Sequence, residues 1–255
     1  TNPASNLYAG SIALGDGAVA GGQRAVVIGY GATSPNQSWN SAHVAIGESS
    51  TLTQEQATAV GANSRASAFG VAHGRSAQAN GFWSTAIGFS ANAASSNSVA
   101  LGRQATCGSG GSDGRIAIGT QSNAGANKAI AIGVNGTTCL SEGIAIGDNV
   151  DISTSDRAIA IGNAQDISGS ADSISIGTQT EVAANSGIAI GRDASSTASQ
   201  AVALGRSVIA NIANTVSVNA LEVQSNTSGI IMYSPNGSQY RVTVTDAGAL
   251  LVTGV

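Results

Sequence analysis

A chain of 255 residues with 4% aromatic and 9% charged residues has too few large side chains to fill a thick globular interior. Its net charge of −4, with 10 Lys and Arg scattered singly, argues against a nucleic-acid surface, because such a surface needs clustered cations. No apolar run reaches the about 18 residues that a transmembrane helix needs, so we expect a protein that is not embedded in a membrane.

Residues 1–10 form an N-terminal segment with little pattern, and the stretch 11–219 repeats one unit. The unit is an apolar residue, Ala and a second apolar residue, followed by Gly and a polar run, as in Ile116–Gly119 and Ile130–Gly133. A fixed period of this kind indicates a stacked-repeat architecture, and Asn219 takes the next place in the series. The repeated glycines, mostly 14 residues apart, are Gly15, Gly29, Gly47, Gly61, Gly74, Gly88, Gly102, Gly119, Gly133, Gly147, Gly162, Gly177, Gly191 and Gly205.

Each unit predicts two short β-strands. The apolar triplet alternates as a strand does, and Gly ends it with a residue that can turn at positive φ. A second stretch of alternating small residues follows, as in Ala91-Asn92-Ala93. We therefore predict that one unit makes one circuit of a two-stranded parallel coil, with successive circuits about 4.8 Å apart.

The triplets are apolar on both faces. In a strand, the two outer residues of Ile130-Ala131-Ile132 point one way and the central Ala points the other. The pattern does not decide which face is internal. A single coil covers only its inner face, so we expect several copies of the chain to associate along the coil axis.

The repeated units resemble the head domain of the YadA-like trimeric autotransporter adhesins over about residues 11–219. The resemblance implies an all-β fold, a left-handed parallel β-roll or β-solenoid, that assembles as a tightly packed homotrimer. Departures from the repeat occur at Thr58, His73, Thr85, Ser175 and Ser217.

Two intervals between repeated glycines are longer than the others. The interval Gly29–Gly47 is 18 residues and holds the additional stretch 34–40, and the interval Gly102–Gly119 is 17 residues and holds the additional stretch 107–114. Insertions in a solenoid project from one face, which is often the binding face.

The few aromatic residues are the candidate receptor contacts. Trp39 lies in the first insertion, and Phe82 and Trp83 lie together outside the apolar triplets. Exposed aromatic rings stack on sugars and anchor interfaces, so we predict that these three residues contact a receptor. The alternative is that they fill gaps at the corners of the coil or between subunits.

After Val218 the pattern changes, and residues 220–255 are predicted to form a small antiparallel cap that closes the coil. The stretch GIIMYSPNGSQYRVTVTDAGAL is similar to the C-terminal ends of bacteriophage fibre and other virion proteins. Strands are predicted at 221–223, 229–233, 240–244 and 249–252, with turns at 234–237 and 246–248 between the last three.

The sequence predicts no catalytic residue, cofactor or metal site. His43 and His73 lie in different units, and with Cys107 and Cys139 they lack any zinc spacing. The two cysteines are two units apart, farther than a disulfide reaches, so we expect free thiols; a bridge through the irregular stretch 107–114 is the alternative. A carboxylate pair built from two subunits is the enzymatic arrangement that the sequence leaves open.

These features predict a structural and adhesive trimeric fibre of a bacteriophage virion, on tail or capsid, that attaches to the host cell surface. The expected partners are two further copies of the chain, a bacterial surface glycan or protein, and other virion proteins. The alternative is the head of a bacterial trimeric autotransporter adhesin at the bacterial cell surface. Such an adhesin is expected to continue into a neck and a coiled-coil stalk, whereas this sequence continues into short strands, which favours the virion surface.

Overall fold

The computed structural model describes residues 5–6, 10–37, 42–109, 114–134, 138–139, 141–152, 155–168, 171–222, 230–245 and 247–254. The chain divides into two compact units, residues 1–217 and residues 218–255. The first is a parallel β-solenoid, and the second contains a small antiparallel sheet. The all-β class and the coil of stacked circuits predicted from the glycine period are therefore confirmed.

Each circuit of the solenoid contains a triplet strand, formed by the apolar-Ala-apolar residues. These strands stack in parallel and in register, so that Ala72 pairs with Ala59 on one side and with Ala86 on the other. The triplet strands are Ile12–Leu14, Val26–Ile28, Val44–Ile46, Thr58–Val60, Val71–His73, Thr85–Ile87, Val99–Leu101, Ile116–Ile118, Ile130–Val134, Ile174–Thr178, Ile188–Ile190, Val202–Leu204 and Val216–Val218.

The second strands of successive circuits form their own parallel stack. Asn92–Ala93, for example, pairs with Gln78–Ala79 and with Thr106–Cys107. In two circuits the triplet strand and the second strand are continuous, as Ile144–Ile152 and Ile159–Ile167. The remaining second strands are Ser5–Asn6, Val19–Gly22, Thr33–Gln37, Thr51–Leu52, Arg65–Ala66, Asn123–Ala124, Thr138–Cys139, Glu181–Val182, Ser195–Ser196 and Ile209–Ala210.

The central Ala of the triplet points into the solenoid, and the two flanking residues point outward. In the circuit of Gly88, for example, the side chains of Ser84, Ala86, Ala91 and Ala93 are all completely buried. These inward positions lie four and two residues before the repeated glycine and three and five residues after it. The two strands of a circuit therefore face each other across small side chains, and the Ala face is the internal one.

The repeated glycine is required because the next circuit lies against it. At Gly74 φ is +131°, and a Cβ atom added there would lie 2.5 Å from the carbonyl oxygen of Gly88. The same approach occurs at Gly191, where the carbonyl oxygen of Gly205 would lie 2.5 Å from an added Cβ. No L-residue fits both the backbone conformation and the space.

Each regular circuit has two corners, and each corner holds a residue in the left-handed conformation. One lies two residues after the repeated glycine, such as Asn63, and the other lies five residues before it, such as Trp83. We call the residues five and six before the glycine the upstream corner. There the amide of Trp83 donates to the carbonyl of Ala68 at 3.2 Å, and the amide of Asn97 donates to the carbonyl of Phe82 at 2.8 Å. These bonds stack upstream corners of successive circuits into a column.

The two long intervals differ from the predicted insertions. Thr33–Gln37 is a second strand, although the first insertion was predicted to begin at residue 34. Residues 38–41 lie outside the described residues, and so does Trp39. In the other interval Cys107 belongs to a second strand and is buried in the solenoid, so the predicted start of that insertion at residue 107 was wrong.

The C-terminal unit contains an antiparallel sheet of Ile230–Tyr233, Gln239–Val244 and Leu250–Gly254. The turns lie where they were predicted. The amide of Gly237 donates to the carbonyl of Ser234 at 2.8 Å, and the amide of Gly248 donates to the carbonyl of Thr245 at 2.8 Å. The strand predicted at 221–223 was wrong for Leu221 and Glu222, which are not in a strand, and Val223 lies outside the described residues.

Candidate receptor-binding site

The outward residues of the triplet strands, three and one before each repeated glycine, form what we call the apolar stripe, which is interrupted by Thr58, His73 and Thr85. Each side chain packs against the equivalent residues of the neighbouring circuits, yet stays partly open to water. An exposed apolar surface that continues through many circuits is typical of an interaction surface. Stripe residues that are 36% to 41% exposed are Ile46, Val71, Ile87, Val99, Leu101, Ile161, Ile190 and Leu204.

Two of the three predicted receptor contacts lie together on the solenoid. Phe82 and Trp83 share one upstream corner, and the ring of Phe69, at the corner before, stacks on that of Trp83 with centroids 5.5 Å apart. The rings of Phe82 and Trp83 are tilted by 57° at 5.9 Å. Phe82 is 43% exposed and Trp83 is 59% exposed. We call Phe69, Phe82 and Trp83 the aromatic cluster.

Sequence reasoning missed Phe69, although the glycine register contains the signal. Phe69 lies five residues before Gly74, as Trp83 lies five residues before Gly88. Equivalent positions of adjacent circuits are neighbours in a solenoid, so their rings are brought into contact. Both residues adopt the left-handed conformation, with φ of 55° and 52°. The same conformation occurs at this position in other circuits, as at Asn97 and Lys128, so it belongs to the corner itself.

A notch lies beside the aromatic cluster. Glu55, Ala68 and Phe82 occupy the same position, six residues before the repeated glycine, in three consecutive circuits. Because the middle residue is only Ala, the column has a gap between a carboxylate and an aromatic ring. Together with Gln54 these residues line a cavity of about 290 Å³.

Gln54 is held in place at the notch by its side-chain carbonyl. Its Oε1 accepts hydrogen bonds from Oγ of Ser67 at 3.0 Å and from the amide of Ala68 at 3.3 Å. These two bonds orient the side-chain amide without using its NH₂ group, which stays available as a donor.

A second exposed aromatic residue lies at the opposite corner. Phe89 follows Gly88 directly, and the guanidinium carbon of Arg75 lies 5.4 Å from the centroid of its ring. Phe89 is 43% exposed, as Phe82 is. It has a cation against its ring and lies at the other corner of the circuit, so it serves as a comparison for the aromatic cluster.

Farther along the coil, the upstream corners carry alternating charges instead of rings. In four consecutive circuits the left-handed residues are Lys128, Glu142, Arg157 and Asp172. Nζ of Lys128 lies 3.1 Å from Oε1 of Glu142, and Arg157 donates to both carboxylate oxygens of Asp172, at 2.6 and 2.9 Å. The hydrogen bond from Arg157 lowers the pKa of Asp172 and raises the pKa of Arg157. All four side chains are exposed, so these pairs are a solvated surface that aligns circuits.

The groups that could perform chemistry are separate and mostly buried. His43 occupies an inward position and is fully buried, and neither ring nitrogen has a hydrogen-bond partner among the described residues. Burial lowers the pKa of His43. Arg115 also points inward, and its guanidinium donates to the carbonyl of Gly125 at 3.1 Å and to Oδ1 of Asn127 at 2.9 Å.

The thiol of Cys107 is buried, and desolvation raises its pKa to about 11. Cys107 pairs with Ala124, and Ala124 pairs with Cys139, so the two cysteines are two circuits apart in one column. Within the described ranges, no group of three or more His, Cys, Asp or Glu residues is placed to hold a metal ion. The part of the chain that the structure describes also contains no helix of the length and apolarity needed to cross a membrane.

The stacked circuits, small-residue interior and apolar stripe define the class of the chain as a parallel β-solenoid built from head-type repeats. A model of the YadA head domain repeat matches residues 9–32, 44–64, 79–105, 116–135, 170–194 and 183–207, which together cover about half of the sequence. The chain belongs to this family, as its repeated triplets predicted. YadA-like heads are surface-exposed trimeric adhesins, so the chain is of a structural, adhesive type. No curated protein matches the chain.

Proposed function

We propose that the chain is the adhesive part of a homotrimeric fibre that attaches a bacteriophage virion to the surface of its bacterial host. The observation that carries the proposal is the apolar stripe. Its residues continue through the solenoid and stay partly exposed in one chain, and Ile87 and Leu101 are more than a third exposed. Burying them against other copies removes that apolar surface from water, which favours association. We propose three chains for the assembly because YadA-like heads are trimeric.

The C-terminal sheet supports association independently. Its strands expose Met232, Tyr233, Val244 and Leu250, all more than half exposed. A small sheet needs an apolar face packed against something to be stable. Pairing with the same sheet of other copies supplies that cover.

The attachment of the fibre to a virion is supported by the C-terminal stretch from residue 229, because its sequence is similar to the C-terminal ends of virion proteins. A second candidate, the head of a bacterial trimeric autotransporter adhesin, is favoured by the family match. The complete coding sequence distinguishes the two. A virion-docking segment before the chain supports the fibre, and a coiled-coil stalk after it supports the bacterial adhesin.

Trimer formation is tested by light scattering coupled to size exclusion. We expect about 74 kDa, three times the 24.8 kDa of one chain. Ile87→Asp places a charge on the apolar stripe, where burial of an unpaired charge is strongly unfavourable, and should abolish the three-chain species. Gln78→Asp, an exposed position of a second strand, adds the same charge away from the stripe and should leave the mass unchanged. A three-chain mass for Ile87→Asp, or a folded monomer for the unaltered chain, would refute the proposal.

Adhesion is tested by pull-down of the purified fibre with whole bacterial cells. We propose that Trp39, Phe82 and Trp83 contact the receptor, so Trp39→Ala and Trp83→Asn should reduce cell binding while the mass stays that of three chains. Asn is chosen because Asn97 occupies the equivalent position in the next circuit, in the same left-handed conformation. Unchanged binding by both variants would remove these residues from the receptor site, and no binding by the unaltered fibre would contradict the adhesive function.

A further inference from the structure

We propose that the notch formed by Gln54, Glu55, Ala68 and Phe82 is a binding site for one neutral pyranose ring of a bacterial surface glycan. The proposal rests on the adhesive function above and names the ligand of that function. A trimer presents three copies of this notch.

The size and shape of the notch favour a single sugar. Its volume of about 290 Å³ is just below the roughly 300–1,000 Å³ range of sites for drug-sized molecules, which suits a smaller ligand such as one sugar ring. A protein partner needs a contact of roughly 800 Å² on each side, far more than the notch offers. From Glu55 to Phe82 the column rises by two circuits, about 9.6 Å, which leaves room for one ring across Ala68.

The two walls of the notch offer complementary chemistry. The exposed ring of Phe82 presents an electron-rich face, which attracts the C–H groups on one side of a pyranose. Glu55 faces the gap from the circuit on the other side of Ala68, and its carboxylate accepts hydrogen bonds with two oxygens, which matches two adjacent sugar hydroxyls. The NH₂ group of Gln54 donates to a third sugar oxygen, because its carbonyl is already bonded to Ser67 and Ala68.

The charge of the notch selects against acidic sugars. Glu55 is the ionisable residue of its lining, and no salt bridge neutralises it among the described residues. A carboxylate of a uronic acid would therefore meet a negative charge in the site. Neutral hexoses carry the hydroxyls without that repulsion.

The aromatic cluster holds the Phe82 wall in position. Trp83 packs beside it at 5.9 Å and is in turn stacked on Phe69. A rigid ring loses little conformational entropy when a ligand stacks on it, and this favours binding at Phe82.

Fluorescence of Trp83 reports binding directly. The chain has two tryptophans, and the ring of Trp83 packs against that of Phe82. In the trimeric full chain, glucose, galactose, mannose and glucuronic acid are titrated separately. We expect the fluorescence to change saturably with at least one neutral hexose, with a dissociation constant in the millimolar range that is common for a single sugar contact. Glucuronic acid should give no saturation.

Two variants test the walls, and one serves as the control. Phe82→Ser introduces the residue that Ser96 supplies in the next circuit, so the corner should fold normally, and the affinity should fall about tenfold. Glu55→Gln removes the charge at constant shape and should lower affinity by roughly tenfold or more, since hydrogen bonds to charged groups are the stronger ones. Phe89→Ala removes an equally exposed ring at the opposite corner and should leave the titration unchanged.

Saturation that survives both Phe82→Ser and Glu55→Gln would place the sugar elsewhere and overturn the proposal. Equal binding of glucuronic acid would overturn the charge argument and with it the assignment to this notch. Failure of every hexose to saturate, while the fibre still binds whole cells, would overturn the sugar site and leave the adhesive function standing. Failure of cell binding as well would remove the adhesive function itself.

Discussion

Replacing Gly74 with alanine should destabilise the solenoid severely, and the cost can be worked out from the packing of one circuit on the next. The added Cβ would lie 2.5 Å from the carbonyl oxygen of Gly88, about 0.9 Å closer than ordinary contact at 3.4 Å. Backbone strain at φ +131° costs of order 1–3 kcal/mol, and forcing the neighbouring circuit away costs a further 1–3 kcal/mol or so. The displaced Gly88 also loses good geometry in the 2.8 Å hydrogen bond from its amide to the carbonyl of His73. We therefore expect a loss of about 2–6 kcal/mol.

The assay is urea unfolding followed by circular dichroism at one fixed protein concentration, because unfolding coupled to association depends on concentration. Gly31→Asn is the matched control. Gly31 is left-handed, with φ +62°, its added Cβ would meet nothing closer than Oγ of Ser49 at 3.6 Å, and Ser49 itself occupies the equivalent position. Asn tolerates this conformation, so the free energy of unfolding of Gly31→Asn should stay within about 0.5 kcal/mol of that of the unaltered chain. Equal unfolding midpoints for Gly74→Ala and the unaltered chain would refute the role assigned to the repeated glycine.

Three further outcomes follow from the buried and paired side chains. Because burial lowers the pKa of His43, the folded chain binds fewer protons there than the unfolded chain, so the stability contributed by His43 should be full above a pH of about 6.5 and fall as the pH drops below it. His43→Ser should flatten this part of the stability profile. Cys107, with a pKa of about 11, should resist alkylation at neutral pH in the folded chain and react once urea unfolds it, as read by peptide mass spectrometry. Arg157→Gln should raise the pKa of Asp172 toward its ordinary value in an NMR titration, and an unchanged pKa would show that the ion pair does not persist in solution.

The solenoid could be predicted from the sequence because its structure repeats as strictly as its sequence. In a stack of parallel circuits, a residue meets the equivalent residue of the next circuit, so the interval between Gly74 and Gly88 predicts their contact directly. The same reasoning predicts the pairing of Cys107 with Ala124, and it could have predicted the contact between Phe69 and Trp83. Irregular segments offer no such register, which is why the start of the second insertion and the strand at Leu221 were placed wrongly.

The notch could not be predicted, because it depends on conformation as well as register. Glu55, Ala68 and Phe82 are equivalent in sequence position, but their side chains line a gap only because the upstream corner turns left-handed and stacks on its neighbours. The sequence also did not predict that His43 and Arg115 point inward. Small residues occupy the equivalent positions in most other circuits, and no neighbouring residue distinguishes these two circuits from the rest.

The sequence alone determined that this chain forms stacked two-stranded circuits with a glycine at a fixed point of each, because period and strand alternation are properties of the chain itself. Only the tertiary structure decided which face of Ile130-Ala131-Ile132 is internal. Both faces are apolar, so hydrophobicity does not distinguish them. In most circuits small side chains fill the space between the two strands, so the central Ala of the triplet lies inside and the two isoleucines lie on the outer face.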